Sequence, residues 1–281
     1  MDARLQLRVQ RYGWDKAAGL YEAGWREQLV PAHRKLLEMT GLVPGETVVE
    51  TACGTGLVTL PAGAAVTPGG RVEATDLSDA MVAMVRERAE EAGLGSVVTA
   101  SRAGAEELPF DDRSFDAAMC ALGLMYVPDP SRALAEMHRV LKPGGRAVAV
   151  VWGARERCGW AGIFPVVDSR VSTEVCPLFF ALGTGESLAR AFERAGFVNV
   201  LTERIRTTLD YASAGEALTA AFEGGPVAMA YDRFDQATRA AAHDDYLDTI
   251  AGWRAGEGYR IPGEFVVVRG ERAVEPATAR A

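Results

Sequence analysis

The sequence predicts an α/β protein: a doubly wound, mostly parallel sheet of seven strands, with helical additions over its ligand edge. Two observations predict it. Short runs rich in Val and Ala alternate along the chain with helical stretches of about a dozen residues, the pattern of β-α-β units. The residues with chemical potential collect just after those runs, at 50–56, 76–77, 103–106, 120–126 and 152–153. Open α/β sheets bind ligands outside the carboxyl ends of their strands.

Each element follows from local pattern. Residues 1–43 look helical and aromatic-rich, with Tyr12, Trp14, Tyr21 and Trp25. "TVVE" (47–50) is a short buried strand, and "GLVTLPAGAAV" begins a helix that Pro61 limits or enters in its first turn. "TPGG" (67–70) is a turn, and "RVEAT" (71–75) a second strand ending at Asp76. Residues 78–93 place Met81, Val82, Val85 and Ala89 on one helical face, with Ser78 or Asp79 as cap and Gly93 as stop. "VVTASR" (97–102) and "FDAAMCAL" (115–122) are strands three and four. The helix of 129–145 has Asp129 as N-cap, Pro130 at its first position and Pro143-Gly144-Gly145 as terminator. "RAVAVVW" (146–152) is strand five, 185–197 a helix, 198–211 a long strand and 264–270 the last strand. The organisation is therefore an N-terminal helical segment (1–43), a ligand-binding core (44–153), an irregular insertion (154–184), the rest of the sheet (185–270, with helical material at 212–260) and a small, polar tail (271–281). The three segments outside the alternation are expected to form a lid that shapes a substrate pocket.

The chain has 281 residues, 48% of them hydrophobic, ample for one large domain or a domain with an added lobe. A net charge of -8 without a basic stripe argues against a nucleic-acid partner, because phosphate binding needs clustered Lys and Arg. No uncharged apolar run reaches the roughly 18 residues of a membrane span. The charged start "MDARLQLRVQRYGWD" lacks a signal-peptide core, so the expectation is a cytoplasmic protein, monomer or homodimer. Cys53, Cys120, Cys158 and Cys176 form no CxxC pair and read as reduced, mostly buried thiols, with no metal site expected. A metalloid site would require Cys158 and Cys176 to converge with a third thiol.

"VVETACGTGLVTLPAG" (48–63) is the most informative stretch. A strand-turn-helix with glycine at the turn lets backbone N–H groups face a ligand at close range. The nicotinamide pattern of three glycines is incomplete, since Thr59 stands where the third would be, and no lysine follows to make a triphosphate loop. Two acids end successive strands, Glu50 and Asp76, and a carboxylate there suits a ribose diol. A nucleoside without phosphates fits better than a dinucleotide.

"VVETACGTG" resembles the first motif of the class I S-adenosylmethionine (SAM)-dependent methyltransferases, and "VEATDLSDAMVAMVRERA" the ribose-binding motif that follows it. The stretch from "AEELPFDDRSFDAAMCALGLMYVPDP" to "RVLKPGGRAVAV" is similar to that of the ubiquinone/menaquinone-biosynthesis-type C-methyltransferases and their small-molecule relatives. The resemblance is good over 45–152 and weaker over 185–211 and 262–270. It implies a Rossmann-like sheet with an antiparallel last strand, SAM as cofactor, S-adenosylhomocysteine as product, and methyl transfer to a small-molecule acceptor, quinone-like or of secondary metabolism. It also implies roles by position. Gly54 and Gly56 pass beneath the methionine part of SAM, and Thr51, Ala52 and Cys53 line it. Asp76 holds the ribose, Leu77 and Met81 pack on the adenine, and Ala105 and Glu106 flank its edge. Cys120, Ala121 and Leu122 lie under the sulfonium, and Tyr21 closes over the cofactor. One departure is Gly104, which stands where the family often has an aspartate for the adenine amino group.

His33, His243 and Tyr126 are the candidates for handling the acceptor's proton. Glu136, His138 and Arg139 read as packing residues, and Asp129 as a cap. Trp152, Trp160, Phe179 and Phe180 read equally as acceptor contacts or as lid core. Two rival functions remain open from sequence: a SAM-binding protein that transfers no methyl group, cyclase-like or regulatory, and a nicotinamide oxidoreductase, which Thr59 disfavours.

Overall fold

The computed structural model describes residues 3–171 and 178–274. The chain opens with one long helix, α1 (Ala3–Thr40), and then alternates: β1 (Thr47–Thr51), α2 (Thr59–Val66), β2 (Arg71–Asp76), α3 (Asp79–Glu91), β3 (Val98–Arg102), β4 (Phe115–Ala121), α4 (Pro130–Val140) and β5 (Leu141–Trp152). Short helical turns and α5 (Ile163–Asp168) precede α6 (Ser187–Arg194) and β6 (Val198–Tyr211). Three more helices, α7 (Ala214–Phe222), α8 (Ala228–Tyr231) and α9 (Gln236–Ile250), lead to the two-residue β7 (Arg254–Ala255) and to β8 (Gly258–Glu271).

The strands lie in the order β3-β2-β1-β4-β5-β8-β6, with β7 paired to β8 outside that path. Strands β1 to β5 pair in parallel, while β8 runs antiparallel between β5 and β6. The expected mostly parallel sheet with an antiparallel last strand is thus present. Every residue of β1 is buried, as are 147–152 of β5, so both faces of the centre are covered and its apolar runs are continuous. The edge strand β6 instead exposes most of its side chains. The chain order reverses between β1 and β4, which opens a crevice at their carboxyl ends.

Caps fall where the residue types predict them. The Ser78 hydroxyl accepts the Met81 N–H at the start of α3, and the Asp129 carboxylate accepts the Ser131 and Arg132 N–H groups ahead of Pro130. Glu136 and Arg139 of α4 grip the loop after β3 through the Leu108 N–H (2.8 Å) and the Leu108 and Phe110 carbonyls (3.0 and 2.8 Å), a packing role as expected. The helix itself stops at Val140, earlier than residue 145, because Leu141 already pairs with Phe115.

The α1 helix packs against β4, β5, β6 and β8 and against α3 and α7. It is fixed by polar contacts with the ligand edge: the Asp15 carboxylate accepts the Ser78 hydroxyl (2.6 Å), Arg11 pairs with Asp79 (2.6 Å), and Glu22 pairs with Arg88, which also donates to the Thr55 carbonyl (2.8 Å). Segment 183–185 is fastened to the sheet by Arg204, which donates to the Gly183 and Gly185 carbonyls and pairs with the buried Glu264 (2.9 Å). Among the described residues no helix is long and apolar enough to cross a membrane.

Candidate active site

One cavity lies over the carboxyl ends of β1, β2 and β4. Its floor is the turn after β1 (Ala52 to Thr55), the end of β2 (Asp76, Leu77) and the turn after β4 (Ala121 to Gly123). Two residues of that floor, Ala52 and Leu122, hold left-handed backbone without being glycine, at φ 54° and 58°. Such conformations cost of order 1 kcal/mol and collect at functional sites.

Gly54 also has positive φ, at 54°, and a Cβ placed there would meet nothing within 4 Å. The position is glycine because the space above its Cα belongs to the cavity. Gly56 is glycine for a different reason. Its φ is 89° and a Cβ would press on Val85 of α3 at 3.3 Å, so it serves the packing of the turn and does not reach the cavity wall.

Two carboxyl groups face the cavity from β1 and β2. Glu50 is 1% exposed, and its Oε2 accepts the Thr59 hydroxyl at 2.6 Å. Burial pushes its pKa up to about 8, helped by the nearby charge of Asp76. Asp76 is also raised by burial, against the pull of two backbone N–H groups: Oδ2 accepts Gly54 N–H and Oδ1 accepts Ser78 N–H, both at 2.9 Å. Glu50, which keeps its proton at neutral pH, and Asp76 are disposed to ionise together in favour of a cation, and lone pairs remain on Asp76 for hydroxyl donors.

The α1 helix crosses the open side of this floor. Gln10, Trp14, Tyr21, Trp25, Leu29 and His33 line the cavity at steps of four, seven, four, four and four residues, one face of the helix. Tyr21, whose phenol burial holds well above its ordinary pKa, meets Trp14 edge to face, and Trp14 in turn meets Tyr126. Beyond them Trp25, Trp152, Trp160 and Phe179 make the far wall, joined by Gly224 to Pro226 between α7 and α8. His33 lies eight residues past Trp25, about 12 Å along the helix axis. Burial lowers its pKa to about 4, so it is a neutral imidazole at pH 7.

Most residues expected at the site are on the cavity wall: Tyr21, Ala52, Cys53, Gly54, Asp76, Leu77, Met81, Ala105, Ala121 and Leu122, with His33 and Tyr126. Five others are not. Thr51 and Cys120 are buried inside their strands, and Gly56 packs on α3. Glu106 turns away: its Oε1 accepts the Asp129 N–H (2.7 Å) and its carbonyl accepts Arg132 Nε, so it braces the start of α4. His243 bonds the Tyr231 hydroxyl (2.8 Å) and stacks with that ring in the α7–α9 cluster, away from the cavity. Its partner Tyr231 lies on the preceding helix, twelve residues away, where no local spacing pointed to it. The three described thiols are buried and pushed up, Cys120 and Cys158 to about 12, so Cys53 is an inert lining residue. No cluster of metal-ligating side chains occurs among the described residues, and Cys176 lies outside them.

Sequence reasoning missed Gln10, Leu29, Thr55, Leu57, Val58, Gly123 and Met125 as lining residues. For Gln10 and Leu29 a signal existed: they extend the spacing of Trp14, Tyr21 and Trp25. Trp152, Trp160 and Phe179, left open between two roles, line the cavity, whereas Phe180 does not.

Residues 49–149 match the methyltransferase domain family. That stretch is similar to a methyltransferase domain. Its floor turns after β1, β2 and β4 all fall within that span. Among curated proteins, the chain is 34% identical over 143 residues to the demethylmenaquinone methyltransferase of Symbiobacterium thermophilum, covering 49% of this chain and 56% of that one. It is 39% identical over 117 residues to the ubiquinone/menaquinone biosynthesis C-methyltransferase of an Enterobacter species, covering 42% and 47%. The match thus spans about half the length of these relatives. Among solved structures, a methyltransferase-like protein of Bacillus halodurans shares the fold at TM-score 0.59 and 20% identity, over 86% of this chain and 99% of that one. A [4+2]-cyclase shares it at TM-score 0.58 and 22% identity, over 91% and 84%. The chain therefore has the expected Rossmann-like fold.

Proposed function

We propose that this protein binds SAM at the Glu50–Asp76 end of the cavity and methylates a small-molecule acceptor held at the aromatic end. The observation that carries the reading is the floor itself. An open space over Gly54 adjoins two acids that burial has left short of compensation, on the turns within the methyltransferase-domain match. SAM supplies an activated methyl group on a sulfonium. Gly54 and Ala52 would pass beneath its amino-acid part, Asp76 would accept from its ribose, and Leu77, Met81 and Ala105 would enclose its adenine.

The residues of the chain then have a simple task. They hold the acceptor in line and keep water out, since the leaving group needs no help. The Trp14, Tyr21 and Tyr126 contacts close the cavity from the α1 side. His33, neutral and facing the cavity, accepts a proton from the acceptor. Being a weak base, it suits an acceptor that ionises readily, such as a phenol or an enolisable carbon. A quinone-like acceptor, as in the names of the curated relatives, satisfies that condition.

Calorimetric titration with S-adenosylhomocysteine tests the cofactor end. Wild type should bind, and Asp76→Ala should weaken binding about 10- to 100-fold, the loss of a hydrogen bond to a charged group. Absence of binding by wild type would reject the reading. Transfer from methyl-labelled SAM into an acceptor panel tests the rest. His33→Asn should lower turnover while leaving S-adenosylhomocysteine affinity within twofold, a modest allowance for a residue outside the cofactor contacts.

A further inference from the structure

A second recess adjoins the cavity beside Leu77. Its own walls are Arg8, Arg11 and Tyr12 of α1 and Arg102 at the end of β3, and it holds about 390 Å³ of space open to solvent. It shares Leu77, Ala103 and Gly104 with the main cavity, so these residues form the divide between the two spaces. The divide is low at Gly104. A Cβ there would meet only Leu77 Cδ1, at 4.0 Å, and the backbone is not left-handed, so neither packing nor strain requires glycine. The loop that carries it is fixed, since the Ala103 N–H donates to the Asp76 carbonyl (3.0 Å) and the Glu107 N–H to the Gly104 carbonyl (3.2 Å). The recess is also cationic, within a chain of net charge -8. Arg11 and Arg102 both pair with the one Asp79 carboxylate, at 2.6 and 3.1 Å. Asp15 lies 3.9 Å from Arg11 Nε, but its carboxylate already accepts the Ser78 hydroxyl. With Arg8, three guanidinium groups meet two carboxylates, an excess of one positive charge, and no acid is among the described residues lining the recess.

We propose that the recess is an anion-binding extension of the nucleoside site: a nucleoside with a short acidic group on its adenine amino nitrogen places that group across Gly104, among Arg8, Arg11 and Arg102. The inference rests on the SAM-binding reading, which puts the adenine among Leu77, Met81 and Ala105. Two properties of the page combine in it. The missing side chain at Gly104 lets a substituent pass, whatever its charge. The guanidinium groups beyond it then favour a carboxylate, whose two oxygens match their forked donors. Because the recess is open to solvent, the gain is that of an exposed ion pair, modest and sensitive to salt.

The test is calorimetric titration at neutral pH with three probes: S-adenosylhomocysteine, its N6-propyl derivative and its N6-(2-carboxyethyl) derivative. Wild type should bind the propyl derivative within about threefold of the parent, and the carboxyethyl derivative about fivefold more tightly than the propyl one, the size of an exposed ion pair. That preference should shrink below about twofold in roughly 0.5 M salt. Replacing Arg8 and Arg102 together by Gln should bring the two derivatives within about twofold of each other and leave the parent unchanged, as solvent-facing charges allow. Gly104→Leu should weaken both derivatives at least about tenfold by blocking the passage, with the parent kept within about threefold. If wild type binds the parent but the propyl derivative about tenfold more weakly or worse, the passage is closed and the proposal is overturned. Equal binding of the two derivatives by wild type, or an unchanged preference in the double arginine variant, overturns the anion subsite. Should Gly104→Leu also lose the parent, the wild-type and arginine comparisons still decide. No binding of the parent by wild type would reject the SAM-binding reading itself, and this inference with it.

Discussion

Glu50 keeps its proton at neutral pH. Burial raises its pKa to about 8 against the lowering effect of the Thr59 hydroxyl. A ligand with fixed positive charge in the cavity favours the carboxylate, so binding expels the proton. At pH 7 about nine-tenths of Glu50 is protonated in the empty protein, and at pH 9 about one-tenth. Calorimetric titration of SAM in buffers of low and high ionisation enthalpy counts the protons. The amino group of the ligand also titrates near 8, so the informative quantity is wild type minus Glu50→Gln. That difference should be about 0.9 proton at pH 7 and about 0.1 at pH 9, with wild type gaining about tenfold in relative affinity over the variant between them. Equal proton release by both proteins at pH 7 would refute the placement of this carboxyl in the cation site. The sign for stability follows from the same shift. Unfolded Glu50 ionises near 4.5, so its contribution is fully present below that and is lost as pH climbs through about 8. The loss amounts to about 5 kcal/mol. Empty Glu50→Gln should therefore melt above wild type at pH 8 and lose that lead at pH 4.5.

Gly24 of α1 sits against α7, where a Cβ would come within 2.8 Å of Ala220 Cα. Gly24→Ala should cost about 1–3 kcal/mol, seen as a lower calorimetric Tm. A Cys176→Ser variant should give no thiol reaction with Ellman's reagent at pH 8 while native and three thiols after denaturation, since Cys53, Cys120 and Cys158 are buried and their thiolates disfavoured. Arg204→Met leaves the Glu264 carboxylate, 2% exposed, without its nearer partner; chemical denaturation should show a loss of about 3 kcal/mol.

The cofactor end was legible because its information is local. A strand, its terminal acid and the next turn are contiguous, so Glu50, Ala52, Cys53 and Gly54 could be read together and Asp76 found one β-α unit later. Errors arose where a residue of the right motif has a stronger partner elsewhere. Glu106 is taken by the Asp129 N–H, and Gly56 by Val85. The sequence pattern places the last strand at 264–270. In the fold it begins at Gly258, and Pro262 lies beyond Phe265, the last β5 partner, where only β6 pairs with it.

The acceptor end was illegible because three distant segments build it and none has a motif. Trp25 comes from α1, Trp152 from the end of β5, and Trp160 and Phe179 from the insertion that follows. What brings them together is the docking of α1, and that docking depends on small residues. Gly24 lets α1 approach Ala220 closely enough for Trp25 to reach the Ala220 carbonyl. A composition scan sees four aromatic residues and cannot tell a wall from a core.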